Sequence, residues 1–356
     1  MLTAEWMKES KSIAIYGAGM VAVSIYYALK ELCKSRKVIR FIVSRREENP
    51  AEIDGIPVVE LDRFDQIDAE ILVAVPENFH SAIVAELERR DLKNYICIDS
   101  RTEAAVMEEY YKRVKQFPVL RSFEIGEKVP SLKVYMAKFF KDKPLKNPYQ
   151  MAEWIYPIQA GAALTETYVA KTKDNLGENI SAKNGNYSEL TAMYWIGKHG
   201  KADYLGLFHY RRVLDITEED LYRLLNNDID AILPFPTIHT PSSYEHHKRY
   251  LKDHDWEAMT LALKELVPNY WEVLPTVFSQ PYFYNYNMLI AKRHILKDFC
   301  DWLFPILKRT EELSIPRGWE RTDRYIGYLG ESLTTLYFMY HKDNLKIAHT
   351  GRLMLI

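Results

Sequence analysis

The sequence predicts an α/β protein of two domains, the first a Rossmann-like unit built on a parallel sheet. Three observations carry this. Short apolar runs alternate with charged amphipathic segments in the N-terminal part, the order that puts helices on both faces of a parallel sheet. One such run, Ser12–Tyr16, leads at once into Gly17-Ala18-Gly19-Met20-Val21-Ala22 and a helical stretch to Lys34. A chain of 356 residues is also long enough to bury two cores.

Taken in order, Val38–Val43, Ile56–Val59, Ile71–Val75 and Tyr95–Ile98 supply the next strands, and Ser81–Arg90 a helix between the last two. The glycine run matches G-x-G-x-x-A between a strand and a helix, where Gly17 and Gly19 permit a tight turn and close approach of a pyrophosphate. They are the candidate nucleotide-binding residues of this domain. The second strand ends in Ser44-Arg45-Arg46, where an NAD site would carry Asp or Glu. Arg45 and Arg46 leave a 2′-phosphorylated ligand open. A module whose glycines serve only helix–strand packing is the competing reading. A helix over Glu103–Gln116 and an irregular stretch with Pro118, Gly126 and Pro130 then mark a boundary. The expected division is residues 1–117, a linker at 118–130, and a second domain at 131–356.

Composition narrows the function. A formal net charge of -2 argues against a nucleic-acid binder. Cys33, Cys97 and Cys300 have no CxxC spacing, which fits reduced thiols rather than a disulfide framework or zinc site. The N-terminal MLTAEWMKESKS lacks an apolar h-region, and no apolar run approaches the ~18 residues of a spanning helix. The expected location is the cytoplasm, with peripheral association at the inner face of the membrane left open. The 25 tyrosines suit carbohydrate stacking and a wet surface equally well.

In the second domain, Asp174–Trp195 is a polar loop, with Asp174, Asn175, Asn179 and Lys183, feeding a helix. Asn186 is the expected N-cap, with Glu189 three residues on. Such a loop and helix start suit a diphosphate or ribose. The strand Tyr204–Phe208 follows, and its end delivers His209, Tyr210, Arg211 and Arg212. Strand alternation would send His209 and Arg211 to one side and Arg212 to the other. An arginine fork, or a divalent metal, would stabilise a departing diphosphate. Asp203 and His209, with His349 as a weaker third, are the possible ligands of a manganese or magnesium ion, whose involvement stays undetermined. His239, His246, His247 and His254 match no zinc spacing; substrate contacts from a loop suit them better. Further on comes the strand Met288–Ala291, then a helix expected over Glu320–Tyr340. There Leu329, Leu333, Leu336 and Tyr340 form the core stripe, and Glu331 lies on an opposite face lined by Gly327, Tyr328, Thr334 and Thr335. A carboxylate on an uncharged wall is a candidate general base with a raised pKa.

These blocks, in this order, resemble the DUF4422 family of bacterial glycosyltransferases. The matching residues are Pro157–Ala162, Asp174-Asn175, Gly177–Ser181, Lys183-Asn184, Glu189–Thr191, Asp203-Tyr204, Gly206-Leu207, His209–Arg212, Tyr286–Met288 and Glu331. The resemblance covers about residues 132–349. It implies a GT-A-like fold and a nucleotide-sugar donor, with UDP-galactofuranose the first expectation. The acceptor would be a glycan or lipid-linked glycan of capsule, exopolysaccharide or O-antigen. An inverting transfer would need one base, the role expected of Glu331 with His209 beside it. Donor contacts are expected from Asp174, Asn175, Asn179, Lys183, Asp203, Arg211 and Arg212, and acceptor contacts from Tyr286, Asn287 and His246. Two departures stand out: Ala137-Lys138-Phe139 replaces a Thr-His-Lys-like run, and there is no DxD motif. The alternatives are an NAD(P)-linked oxidoreductase of sugar nucleotides working through the first domain, and a non-catalytic polysaccharide-assembly protein. A homo-oligomer fits any of the three.

Overall fold

The computed structural model describes Trp6, residues 11–64 and residues 69–356. In the first domain these form strands β1 (Ser12–Tyr16), β2 (Val38–Val43), β3 (Glu52–Ile53), β4 (Ile56–Glu60), β5 (Ala69–Val73) and β6 (Tyr95–Cys97). Helices α1 (Met20–Leu32), α2 (His80–Arg89) and α3 (Ser100–Val114) alternate with them. Among the described residues the sheet order is β3-β4-β2-β1-β5-β6, parallel except for the β3–β4 hairpin. After Ser12, β1 is apolar and buried on both faces because helices cover both sides. The connections reverse direction at β1, so the crevice for a ligand opens beyond its carboxyl end, where the glycine run sits.

The second domain is built from β7 (Leu132–Lys138), β8 (Ile155–Gln159), β9 (Thr172–Lys173), β10 (Tyr204–His209), β11 (Arg212–Leu214), β12 (Ala231–Pro234), β13 (Thr237–Ile238), β14 (Tyr282–Phe283), β15 (Leu289–Lys292), β16 (Ile347–Thr350) and β17 (Arg352–Met354). Its helices are α4 (Asn184–Tyr187), α5 (Leu190–His199), α6 (Glu218–Asn226), α7 (Tyr244–His247), α8 (Asp253–Leu266), α9 (Pro268–Ser279), α10 (Arg293–Leu313) and α11 (Tyr325–Tyr340). The main sheet runs β16-β12-β15-β10-β7-β8-β9, with β15 antiparallel to both neighbours. Alternation along β10 splits the core. Leu205 and Leu207 pack with α5, α8, α10 and α11, whereas Tyr204 and Phe208 join Val134, Met136 and Leu224 on the other face. Gly206 between them has no room for a side chain: a Cβ would stand 2.6 Å from Leu289 O. No described helix is long and apolar enough to cross a membrane.

Three local expectations change. The helix after the polar loop does not start at an Asn186 cap. Asn186 Nδ2 donates to Gly318 O, the chain makes the single turn α4, and Ser188 breaks it at φ +51° before α5 begins. The last long helix starts at Tyr325, after Arg324 at φ +67°. The stretch 118–130 is anchored at its start, where Leu120 is fully buried and Arg121 bridges Glu108 of α3 and Asp215, while most of residues 124–129 are exposed.

The two sheets are joined by buried contacts. Tyr111 donates to Pro236 O at 2.8 Å, Ile238 N donates to Ser24 Oγ at 3.1 Å, and the Phe235 ring stacks on Tyr111. Phe235 and Ile238 therefore belong to the core of the first domain.

Candidate active site

Both domains line one cavity of about 900 Å³. The first domain contributes the glycine run, the β2 end at Ser44 and Arg45, and a slot between Val75, Phe79 and Ile83. The second contributes Glu189, His209, Arg212, Tyr286, Arg324 and Glu331, with Arg249 and Tyr250 from the segment after α7. Among the described residues, four arginines against two carboxylates line the cavity, a cationic balance suited to a phosphorylated ligand.

Glu331 sits on the first half of α11, on the face that turns away from Leu329 and Leu333. Its pKa is pushed from 4.5 to about 8, chiefly by burial and next by the Glu189 carboxylate; Tyr286 N, Asn285 and Arg212 work in the opposite direction. Asn285 Nδ2 lies 3.5 Å from its Oε2. Glu189 accepts a 2.8 Å hydrogen bond from Asn287 Nδ2 and lies 3.8 Å from His209 Nε2. His209 Nε2 has no hydrogen-bond partner among the described residues, and burial holds the ring's pKa below its usual value. An imidazole with a free nitrogen is thus turned toward the Glu189 carboxylate.

The turn chemistry explains which arginine reaches the cavity. Tyr210 and Arg211 are the tight turn of a β10–β11 hairpin, so His209 pairs directly with Arg212. Cross-strand partners share a face, and His209 and Arg212 line the cavity together while Arg211 does not. This corrects the expected alternation, which treated the block as a continuing strand. The Arg212 guanidinium lies 4.2 Å from the Tyr286 ring centroid. Arg211 stands near Asp142, and its Nε is without a partner among the described residues.

Four non-glycine residues with left-handed backbone border this centre: Ser188, Tyr286, Asn287 and Arg324. Such backbone is held only where surrounding contacts over-determine it, and it gathers at functional sites. Here Asn287, 1% exposed, donates to Glu189 and Gly327 O and accepts from Thr334. Arg324 Nε donates to Ser188 Oγ.

Other expected site residues lie elsewhere. Asp174 is fully buried and clasps Gly161 N, Ala162 N and Ser181 Oγ. Asn179 braces its own loop through Asn175 O and Gly177 O, and Lys183 pairs with Glu311. Asn175 and these three do not line the cavity. Asp203 receives Ser131 N and Oγ at the start of β10, the opposite end from His209. His349 is buried, hydrogen-bonded to Tyr284 and Pro118 O, and pushed down to about 3 by desolvation. The ligand set of Asp203, His209 and His349 therefore does not assemble, and among the described residues no three His, Cys, Asp or Glu side chains form a metal-binding group. The His246 side chain lies outside the described residues. Sequence reasoning missed Glu189, read as a capping residue, and missed Arg249, Tyr250 and Arg324, which carry no motif.

The second sheet, in whose main run β15 is antiparallel inside a parallel frame, is GT-A-like. The bifunctional glycosyltransferase WbbM in its apo structure is similar to this chain: 29% identity, TM-score 0.54, covering 63% of this chain and 45% of that one. The chain thus spans less than half of WbbM. The likeness to the S. cerevisiae mannosyltransferase Ktr4p is slight, at 10% identity and TM-score 0.28 over 66% of this chain and 76% of that one. No curated protein matches. Residues 133–343 match the family model described as a domain of unknown function, DUF4422. The chain belongs to the DUF4422 family.

Proposed function

We propose that the protein is a glycosyltransferase that moves a sugar from a nucleotide-sugar donor to a glycan, with its reacting centre at Glu331, His209 and Arg212. One observation carries this: a half-buried carboxylate with its pKa raised to about 8 lines the same cavity as Arg212 and Arg324. Glu331 takes the proton of the acceptor hydroxyl as that oxygen attacks the anomeric carbon. The bond to the diphosphate breaks, and Arg212 and Arg324 stabilise the charge that grows on the leaving group. His209, neutral, orients the acceptor hydroxyl through its free nitrogen. Tyr286 and Tyr250 offer aromatic faces to the sugars.

The finer reading is an inverting transfer of galactofuranose from UDP-galactofuranose to a lipid-linked capsular, exopolysaccharide or O-antigen glycan, at the cytoplasmic face of a membrane. The resemblance of the sequence blocks supports the donor, and the similarity to WbbM supports the class. Incubating the protein with a panel of UDP-sugars and galactoside acceptors, with and without manganese, tests it. UDP release and product from UDP-galactofuranose are expected. Transfer from another donor alone would replace the donor, and no transfer from any nucleotide sugar would remove the class.

A further inference from the structure

The first domain lies outside the matched family region, yet it forms one wall of the reaction cavity. The two walls differ in chemistry. Of the arginines that line the cavity among the described residues, Arg212, Arg249 and Arg324 stand on the second domain, together with the carboxylates of Glu189 and Glu331. The positive charge that stabilises a departing diphosphate is therefore supplied from that side. The facing wall offers Val75, Phe79, Ala82 and Ile83, and its cation among the described residues is Arg45. Such a wall has little to hold an anion and much to hold a neutral ring.

Phe79 is the largest side chain of that slot. It ends the short turn Glu77–Phe79 between β5 and α2. It is 53% exposed and meets no other aromatic ring among the described residues. Single exposed apolar side chains are common, but this ring lines a cavity between two domains, where ligand sites place their aromatic faces. The slot is also continuous with the reacting centre. Val75 and Pro76 share a hollow of about 50 Å³ with Arg212 and Tyr286, and the Tyr286 ring covers the Arg212 guanidinium. A glycan whose terminal hydroxyl reaches Glu331 past Tyr286 would run on over Val75 to Phe79.

We propose that the first domain is the acceptor wall of the enzyme. It binds a neutral hexose glycan and lays a sugar ring behind the terminal one on Phe79, between Val75, Ala82 and Ile83. This rests on the glycosyltransferase reading above. The apolar face of a sugar packs on the aromatic ring while its hydroxyl edge stays in water. The donor diphosphate stays with the arginines of the second domain, so the two substrates meet at Glu331 from opposite walls.

Calorimetric titration of the full chain with linear galactotriose, trigalacturonate and UDP tests it, on the parent and on Phe79→Ala, Phe79→Tyr and Ala82→Arg. Phe79 and Ala82 are both exposed, and melting curves check that each variant folds. The expected result is galactotriose binding that is at least tenfold weaker in Phe79→Ala and Ala82→Arg and kept in Phe79→Tyr, with the UDP affinity of Phe79→Ala equal to the parent's. No galactotriose binding by the parent, or equal binding in the parent and Phe79→Ala, would overturn the proposal. Weaker UDP binding in Phe79→Ala would put the nucleotide base in the slot and overturn it too. So would tighter binding of trigalacturonate than of galactotriose, because the occupant would then be an acidic glycan. Sugar transfer by the parent is read separately. Transfer with unchanged galactotriose binding in the variants sinks the acceptor wall alone, whereas slot-dependent binding without transfer from any nucleotide sugar sinks the enzyme class and leaves a glycan site.

Discussion

The Tyr286 hydroxyl lies 3.6 Å from Met20 Sδ. The ring that covers Arg212 is thereby also the contact between the reacting centre and the helix behind the glycine run. Tyr286→Phe removes a weak sulfur contact and should change stability by less than about 1 kcal/mol. Tyr286→Ala also removes the ring from Arg212, an interaction worth roughly 0.5–2 kcal/mol. The expected outcome in a transfer assay is a fall in kcat/KM of about tenfold for Ala and little for Phe. Equal losses in the two variants would mean that the hydroxyl, not the ring, matters.

Glu331→Gln removes the proposed base, and a loss of roughly 10²–10⁴ in kcat is expected. In the parent only the ionised carboxylate accepts a proton, and its pKa is about 8. The kcat/KM should therefore rise with pH through 7 and level off above about 8. A flat profile between pH 6 and 9 would take Glu331 out of the reaction.

The same shift has a stability consequence of definite sign. The folded pKa is raised from 4.5 to about 8, so the folded state binds the proton more tightly than the unfolded chain. That stabilisation is present below pH 4.5 and is lost as pH rises through 8. Glu331→Gln keeps a neutral side chain throughout. Its melting temperature should gain on the parent between pH 5 and pH 8, which differential scanning at several pH values would read directly.

Asp174→Ala should act on folding rather than on the donor. It strands two backbone N–H groups that the carboxylate now accepts, at a cost of about 1–3 kcal/mol for each buried orphan. Urea unfolding should show a loss of that order, with UDP affinity at native conditions unchanged. Weakened UDP binding in a fully folded variant would return the loop to the donor site.

Much of this was legible from residue patterns. The apolar runs placed the strands of the first sheet because a buried parallel strand needs no alternation. Leu329, Leu333 and Leu336 placed Glu331 on the other side of α11, since a helical repeat fixes opposite faces. What was hidden depended on turns and on distant pairings. The Tyr210-Arg211 turn, which swaps one arginine for the other at the cavity, carries no glycine or proline to announce it. β8 has Pro157 inside it, which disguises a strand in the middle of a sheet. Glu189 looked like a capping residue, and only the left-handed Ser188 turns it toward Asn287. That the glycine run faces Glu331 could not be read at all, because no local pattern reports how two domains dock.

The mixed core, in which Phe235 and Ile238 of the second domain are buried among residues of the first, has a practical corollary for anyone dissecting the chain. Cutting before Ser131 would open contacts that the second half makes with the first. It would bare two large apolar side chains, leave Ile238 N without Ser24, and take away half of the pocket. The region that matches the family therefore shares part of its core with the domain before it.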